Sequence, residues 1–132
     1  MVIDTSAVLA IFFDEPECGA FARRIVQAET RLMSTVSKLE SCLVATGRLG
    51  GQGVAKLHRL FEQLDIVFVP FDEHQSDIAS EAFERFGKGR HRAGLNFGDC
   101  ATYALAIAEA MPLLFKGVDF ELTDVETVRL SE

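Results

Sequence analysis

The sequence predicts an α/β fold with a mainly parallel sheet, and three observations carry that prediction. Short apolar runs alternate with longer stretches whose apolar residues recur at helical spacing, the order expected of strands joined by crossover helices. The run Ile66-Val67-Phe68-Val69 is apolar without alternation, the mark of a strand covered on both faces. With 132 residues the chain has room for one domain, and 48% hydrophobic content beside 25% charged residues suits a packed core.

Taken in order, the first strand is expected at Val2-Ile3, with a helix behind it from Ala7 to Phe13. Asp14-Glu15-Pro16-Glu17 has the form of a capping box with proline in the first turn, and Cys18, Phe21, Ala22, Ile25 and Val26 follow at helical spacing. A second strand, Leu32-Met33-Ser34, leads into a helix from Thr35 to Leu49 that Gly50-Gly51 stops. Val54, Leu57, Leu60, Phe61 and Leu64 mark the next amphipathic helix, and the apolar run is the third strand. Asp72 and Gln75 suggest another capping box, ahead of a stripe of Ala79, Ala82, Phe83 and Phe86. A glycine-rich loop from Gly87 to Gly98 precedes a helix from about Asp99 to Ala110, apolar nearly all round and so expected to be central. Leu113-Leu114-Phe115 is the fourth strand, and Val128-Arg129-Leu130 an expected fifth at the edge, giving a roughly five-stranded sheet.

Several classes are excluded early. No apolar run approaches the ~20 residues that span a bilayer. Met1-Val2-Ile3-Asp4 lacks the basic start of a secretory signal, so a cytoplasmic location is expected. Cys18, Cys42 and Cys100 cannot all pair, which fits a reducing compartment, and with His58, His74 and His91 they show no zinc spacing. The net charge of −7 opposes nucleic-acid binding unless acids gather where a divalent cation inverts the local field.

Four of the twenty acids stand apart from the surface and capping acids. Asp4 directly follows the first strand and Asp119 lies just past the fourth, which places both at the carboxyl edge where open α/β sheets hold their sites. Asp99 opens the buried helix, where the helix dipole favours an ionised carboxylate. At about 100° per residue, Val36, Leu43, Val44 and Gly47 lie within roughly 60° of Glu40, while Lys38, Cys42 and Ala45 fall on the far side. Glu40 is therefore expected to point inward with the apolar face.

Each acid alone has an ordinary role open to it: Asp4 and Asp99 as helix caps, Ser37-x-x-Glu40 as a capping box. Together they point elsewhere. Two charges at 4 Å cost about 4 kcal/mol at an effective dielectric near 20, so four at one edge call for a cation. Carboxylate-only ligands select Mg²⁺ or Mn²⁺ over zinc. A phospho-receiver domain needs an acid pair at the first strand and an acceptor Asp ending the middle strand, which here ends Val69-Pro70. A haloacid-dehalogenase phosphatase needs an acid at position 6, which is Ser. A non-catalytic scaffold of the same fold is the remaining rival, and loss of a central acid would have favoured it.

Asp4-Thr5-Ser6-Ala7, Leu39-Glu40, Asn96-Phe97-Gly98-Asp99, and Leu114-Phe115-Lys116-Gly117 followed by Asp119-Phe120 together resemble the PIN-domain ribonucleases. Within these the chain is similar to the VapC toxins of type II toxin–antitoxin systems, over essentially its whole length. The resemblance implies a three-layer α/β/α sandwich that forms a homodimer, binds Mg²⁺ or Mn²⁺ in its acidic pocket, cuts RNA, and is blocked by a VapB-type antitoxin. It implies Asp4 and Asp99 as principal metal ligands, Glu40 and Asp119 as the third and fourth acids, and Thr5 or Ser6 as the hydroxyl beside the first. Arg85, Lys88, Arg90, His91 and Arg92 cluster before Asn96. Arg90 and Arg92 are candidates to hold the RNA backbone, although a solvated loop accounts for the same charges. The apolar residues Phe21, Ile25, Leu57 and Phe61 are expected to serve the core or a dimer or antitoxin interface.

Overall fold

The computed structural model describes residues 1–130. Among these, one sheet contains β1 (Val2–Ile3), β2 (Leu32–Ser34), β3 (Val67–Val69) and β4 (Leu113–Leu114), all parallel, in the order β3-β2-β1-β4. The helices are α1 (Thr5–Phe12), α2 (Cys18–Gln27), α3 (Thr35–Leu49), α4 (Gly51–Gln63), α5 (Glu73–Phe86) and α6 (Phe97–Glu109), and a 3-10 turn spans Asp119–Leu122.

Strand side chains alternate between faces, and the short strands use that period to feed two cores. Ile3, Met33 and Leu114 enter one with Val8, Phe21, Ile25, Leu57 and Phe61 of α1, α2 and α4. Val2, Leu113 and Phe115 enter the other with Phe86, Leu95, Tyr103, Leu105 and Phe120. The result is an α/β/α sandwich. Helix α6 is the central helix expected: Gly98 and every residue from Cys100 to Ala106 are buried. The three cysteines lie on α2, α3 and α6, unpaired.

Four local expectations change. The fifth strand reduces to a single bridge between Leu113 and Thr127, with Leu113 N donating to Glu126 O and Val128 N to Leu113 O, both at 2.9 Å. A two-residue β4 has no further ladder groups to offer. The apolar run at β3 is an edge strand, and Val67 is exposed rather than covered on both faces. The box at Asp14–Glu17 does not form, because Asp14 takes a left-handed conformation (φ 54°) and Glu15 and Glu17 instead hold Lys116, a hundred residues away in the chain. Phe21, Ile25, Leu57 and Phe61 are fully committed to the core, so no interface is built from them.

The sheet order matters most for the site. From β1 the chain winds outward through β2 and β3, then returns to place β4 on the other side of β1. Between β1 and β4 the winding reverses, which opens a crevice at their carboxyl ends.

Candidate active site

Asp4 sits on one lip of that crevice, buried, and is the N-cap of α1. Its Oδ2 accepts from Ser6 N at 3.0 Å and from Ser6 Oγ at 2.6 Å. Ser6 Oγ in turn accepts from Lys116 N at 2.9 Å, which ties the end of β1 to the chain leaving β4. Its Oδ1 accepts from the buried hydroxyl of Thr102 on α6 at 2.7 Å. Thr102 also meets Ser37 Oγ of α3 at 3.1 Å. Ser6 rather than Thr5 is thus the hydroxyl that serves Asp4.

Glu40 reaches the same region by a route that differs from the expected one. The buried face of α3 is Ser37, Ser41 and Ala45, whereas Leu43, expected beside Glu40 on the inner side, is exposed. Small residues face inward because α3 approaches α6 there, with the Ser41 hydroxyl bonded to Ser37 O at 2.7 Å. Glu40 stands at the margin of this face, half-buried, with its carboxylate laid against Gly98 of α6. A Cβ at position 98 would fall 2.8 Å from Glu40 Cδ and 2.9 Å from Oε1, and closer still to Oε2. Burial pushes the Glu40 carboxyl up, Thr5 opposes the rise by hydrogen bonding, and the nearby Asp4 adds to it.

Asp99 is the third position of α6, not its first. Asn96 is the N-cap: its side chain accepts from Asp99 N at 2.9 Å, and Asp99 Oδ2 accepts from Asn96 N at 3.0 Å, a complete capping box. Even with that bond, burial and then the charges of Asp4, Asp119 and Glu40 push Asp99 up to about 6. The other three acids singled out in the sequence therefore all act on Asp99. Asp119 opens the 3-10 turn after β4 and is exposed, at the outer rim. None of the four is paired with a cation among the described residues, where the ion pairs are Arg31–Asp65, Arg85–Asp124 and Lys116 with Glu15 and Glu17. Among those residues no group of three or more Asp, Glu, His or Cys side chains is placed to hold a metal ion.

Arg90 and Arg92 are exposed, and no contact joins them to the acids; Arg90 Nε donates back to Glu84 O at 3.2 Å. Thr102 and Ser37 escape a reading by apolar periodicity. The available signal was a hydroxyl three residues beyond Asp99, on the same face of an otherwise apolar helix.

Fold and site together define a class, an open parallel α/β domain with carboxylates collected at its switch-point crevice. Residues 1–126 match the family model described as PIN domain. "Ribonuclease VapC" of Mycolicibacterium smegmatis is 47% identical over 128 residues, covering 97% of this chain and 99% of that protein. "Ribonuclease VapC30" of Mycobacterium tuberculosis is 46% identical over 130 residues, covering 98% and 99%. The chain therefore belongs to the PIN-domain family and, within it, to the VapC group. The crystal structure of Mycobacterium tuberculosis VapC20, described as a sarcin-ricin loop cleaving toxin, superposes with a TM-score of 0.78 over 97% of this chain and 98% of that one at 14% identity. VapBC-1 of nontypeable Haemophilus influenzae gives 0.75 over 99% and 98% at 17% identity. At such identities these two likenesses concern the fold.

Proposed function

We propose that this chain is the toxin of a type II toxin–antitoxin pair, a divalent-metal-dependent ribonuclease that a VapB-type antitoxin holds inactive. The observation that carries the proposal is the position of Asp99, pushed up to about 6 by burial and by the charges of Asp4, Asp119 and Glu40, with no cation paired to any of the four among the described residues. The names of the relatives at 46–47% identity support the ribonuclease activity, and the VapBC structures support the antitoxin.

The donor set fits a hard divalent cation, Mg²⁺ or Mn²⁺, because every candidate ligand is a carboxylate oxygen. Mg²⁺ retains several waters and needs only one or two direct carboxylates. Asp4 and Asp99 would hold the ion. Once bound, it acidifies a water and neutralises charge on the scissile phosphate.

The remaining residues act on the water and the RNA. Glu40, raised by burial, orients the attacking water and takes its proton. The water oxygen forms a bond to phosphorus while the bond to the 3′-oxygen breaks in line, and the departing oxygen takes a proton from solvent, leaving a 5′-phosphate and a 3′-hydroxyl. Asp119, exposed at the rim, completes the acidic lining on the side the RNA enters. Arg90 and Arg92 hold the phosphate backbone before the acids, contacts that position without reading sequence. The protein acts in the cytoplasm as a homodimer. No described helix is long and apolar enough to cross a membrane, and Leu39 and Leu43, 59% and 63% exposed, offer α3 to a second copy.

The test is cleavage of RNA by the purified chain with Mg²⁺, with EDTA, and after Asp4→Asn or Asp99→Asn. Cleavage is expected only with the ion and all acids present. Undiminished cleavage by either variant refutes the assignment.

A further inference from the structure

The buried hydroxyl of Thr102 carries an inference that deepens the proposed metal site and rests on it. Each carboxylate oxygen accepts about two hydrogen bonds. In Asp4, Oδ2 is filled by Ser6 N and Ser6 Oγ, and Oδ1 is half-filled by Thr102 Oγ1 at 2.7 Å. One lone pair of Asp4 is left, on Oδ1.

A hydroxyl has a single proton. Thr102 commits its proton to Asp4, so Ser37 Oγ must be the donor in the 3.1 Å contact between the two hydroxyls. The protons run in one direction, from α3 through α6 to the carboxylate ending β1. Ser37 and Thr102 are 0% and 1% exposed, so no solvent competes for these bonds. Thr102 also sits one turn beyond Asp99 on α6, so this bond fixes Asp4 to the helix that carries the second acid.

We infer that Thr102 is a positioning residue that turns Asp4 so that Oδ1 alone, through its one remaining lone pair, faces the cation beside Asp99. Asp4 then binds through one oxygen. Loss of the hydroxyl lets the carboxylate rotate about its terminal bond and loses the preset direction. Partners that orient metal ligands in this way affect affinity by about 10- to 100-fold when removed.

The experiment is Mn²⁺ titration of the purified chain by electron paramagnetic resonance, with melting of the EDTA-treated protein alongside. Thr102→Val, close in shape, is expected to weaken Mn²⁺ binding at least tenfold. Thr102→Ser restores the hydroxyl and is expected to stay within about threefold of the parent. Ser41→Ala removes a buried hydroxyl that bonds Ser37 O and never touches Asp4. It is expected to lower melting temperature while leaving the Mn²⁺ affinity unchanged. In RNA cleavage, T102V should need more Mg²⁺ for half-maximal rate yet recover that rate at saturation. Parent-like Mn²⁺ binding by T102V, or a T102S as weak as T102V, overturns the positioning role alone. A parent chain that binds no Mn²⁺ overturns the metal reading and the positioning role with it.

Discussion

Asp99 carries the electrostatic cost of the site. Its carboxyl sits at about 6 in the fold against 3.8 for the ordinary group, so the folded chain keeps this proton longer than the unfolded chain does. Without metal, stability therefore falls as pH rises from about 3.8 through 6, where the folded state binds the additional proton. Asp99→Asn removes that charge and keeps an oxygen for the Asn96 N–H. In EDTA it is expected to melt higher than the parent at pH 7.5, by roughly 3–5 °C for about 1 kcal/mol once partial solvent access is discounted. Near pH 4 the advantage should vanish, and an advantage independent of pH would mean that the carboxyl is not raised. Gly98 tests the neighbouring acid. Gly98→Ala adds a methyl that meets only the flexible end of Glu40, so the fold survives and gains helix propensity of up to about 1 kcal/mol. Glu40 must move away, and RNA cleavage is expected to fall roughly 100- to 10,000-fold, the range for a lost general base. A variant as active as the parent would remove Glu40 from the mechanism.

At the scale of elements, a second glycine behaves in the opposite way. A Cβ at Gly53 would lie 2.6 Å from Ala45 O and 2.8 Å from Leu49 Cβ, both on α3. Backbone cannot swing aside, so Gly53→Ala is expected to separate α4 from α3 and cost about 1–3 kcal/mol, measured by urea unfolding. Unchanged stability would show that the two helices are not in close contact there. The order and type of these elements were legible because apolar spacing records which residues face a core. What spacing could not show is contact between distant segments. Glu15 and Glu17 read locally as helix-start residues, and Lys116 claims them from across the fold. The inner face of α3 is made of Ser37, Ser41 and Ala45, and the two serines are buried there through hydrogen bonds rather than hydrophobicity. That is why periodicity put Ala45 on the far side and brought Glu40 to the right place for the wrong neighbours.

In the whole molecule, the charges of Asp4, Glu40 and Asp119 reach Asp99 because the sheet order reverses beside β1. Each acid was legible singly from its place after a strand or on a helix, and the Asn96–Asp99 box shows that the capping role open to Asp99 is realised. The hydroxyls of Thr102 and Ser37 were not legible, since a buried Thr or Ser looks the same in sequence as an exposed one. The net charge of −7 is compatible with RNA binding if part of the excess is neutralised by the proposed cation. The most direct measurement is the anomalous diffraction of crystals soaked in Mn²⁺. The account predicts a peak bonded to Asp4 Oδ1 and the Asp99 carboxylate. Crystals that leave this crevice without a peak, or that bind Mn²⁺ only at acids elsewhere, would contradict it.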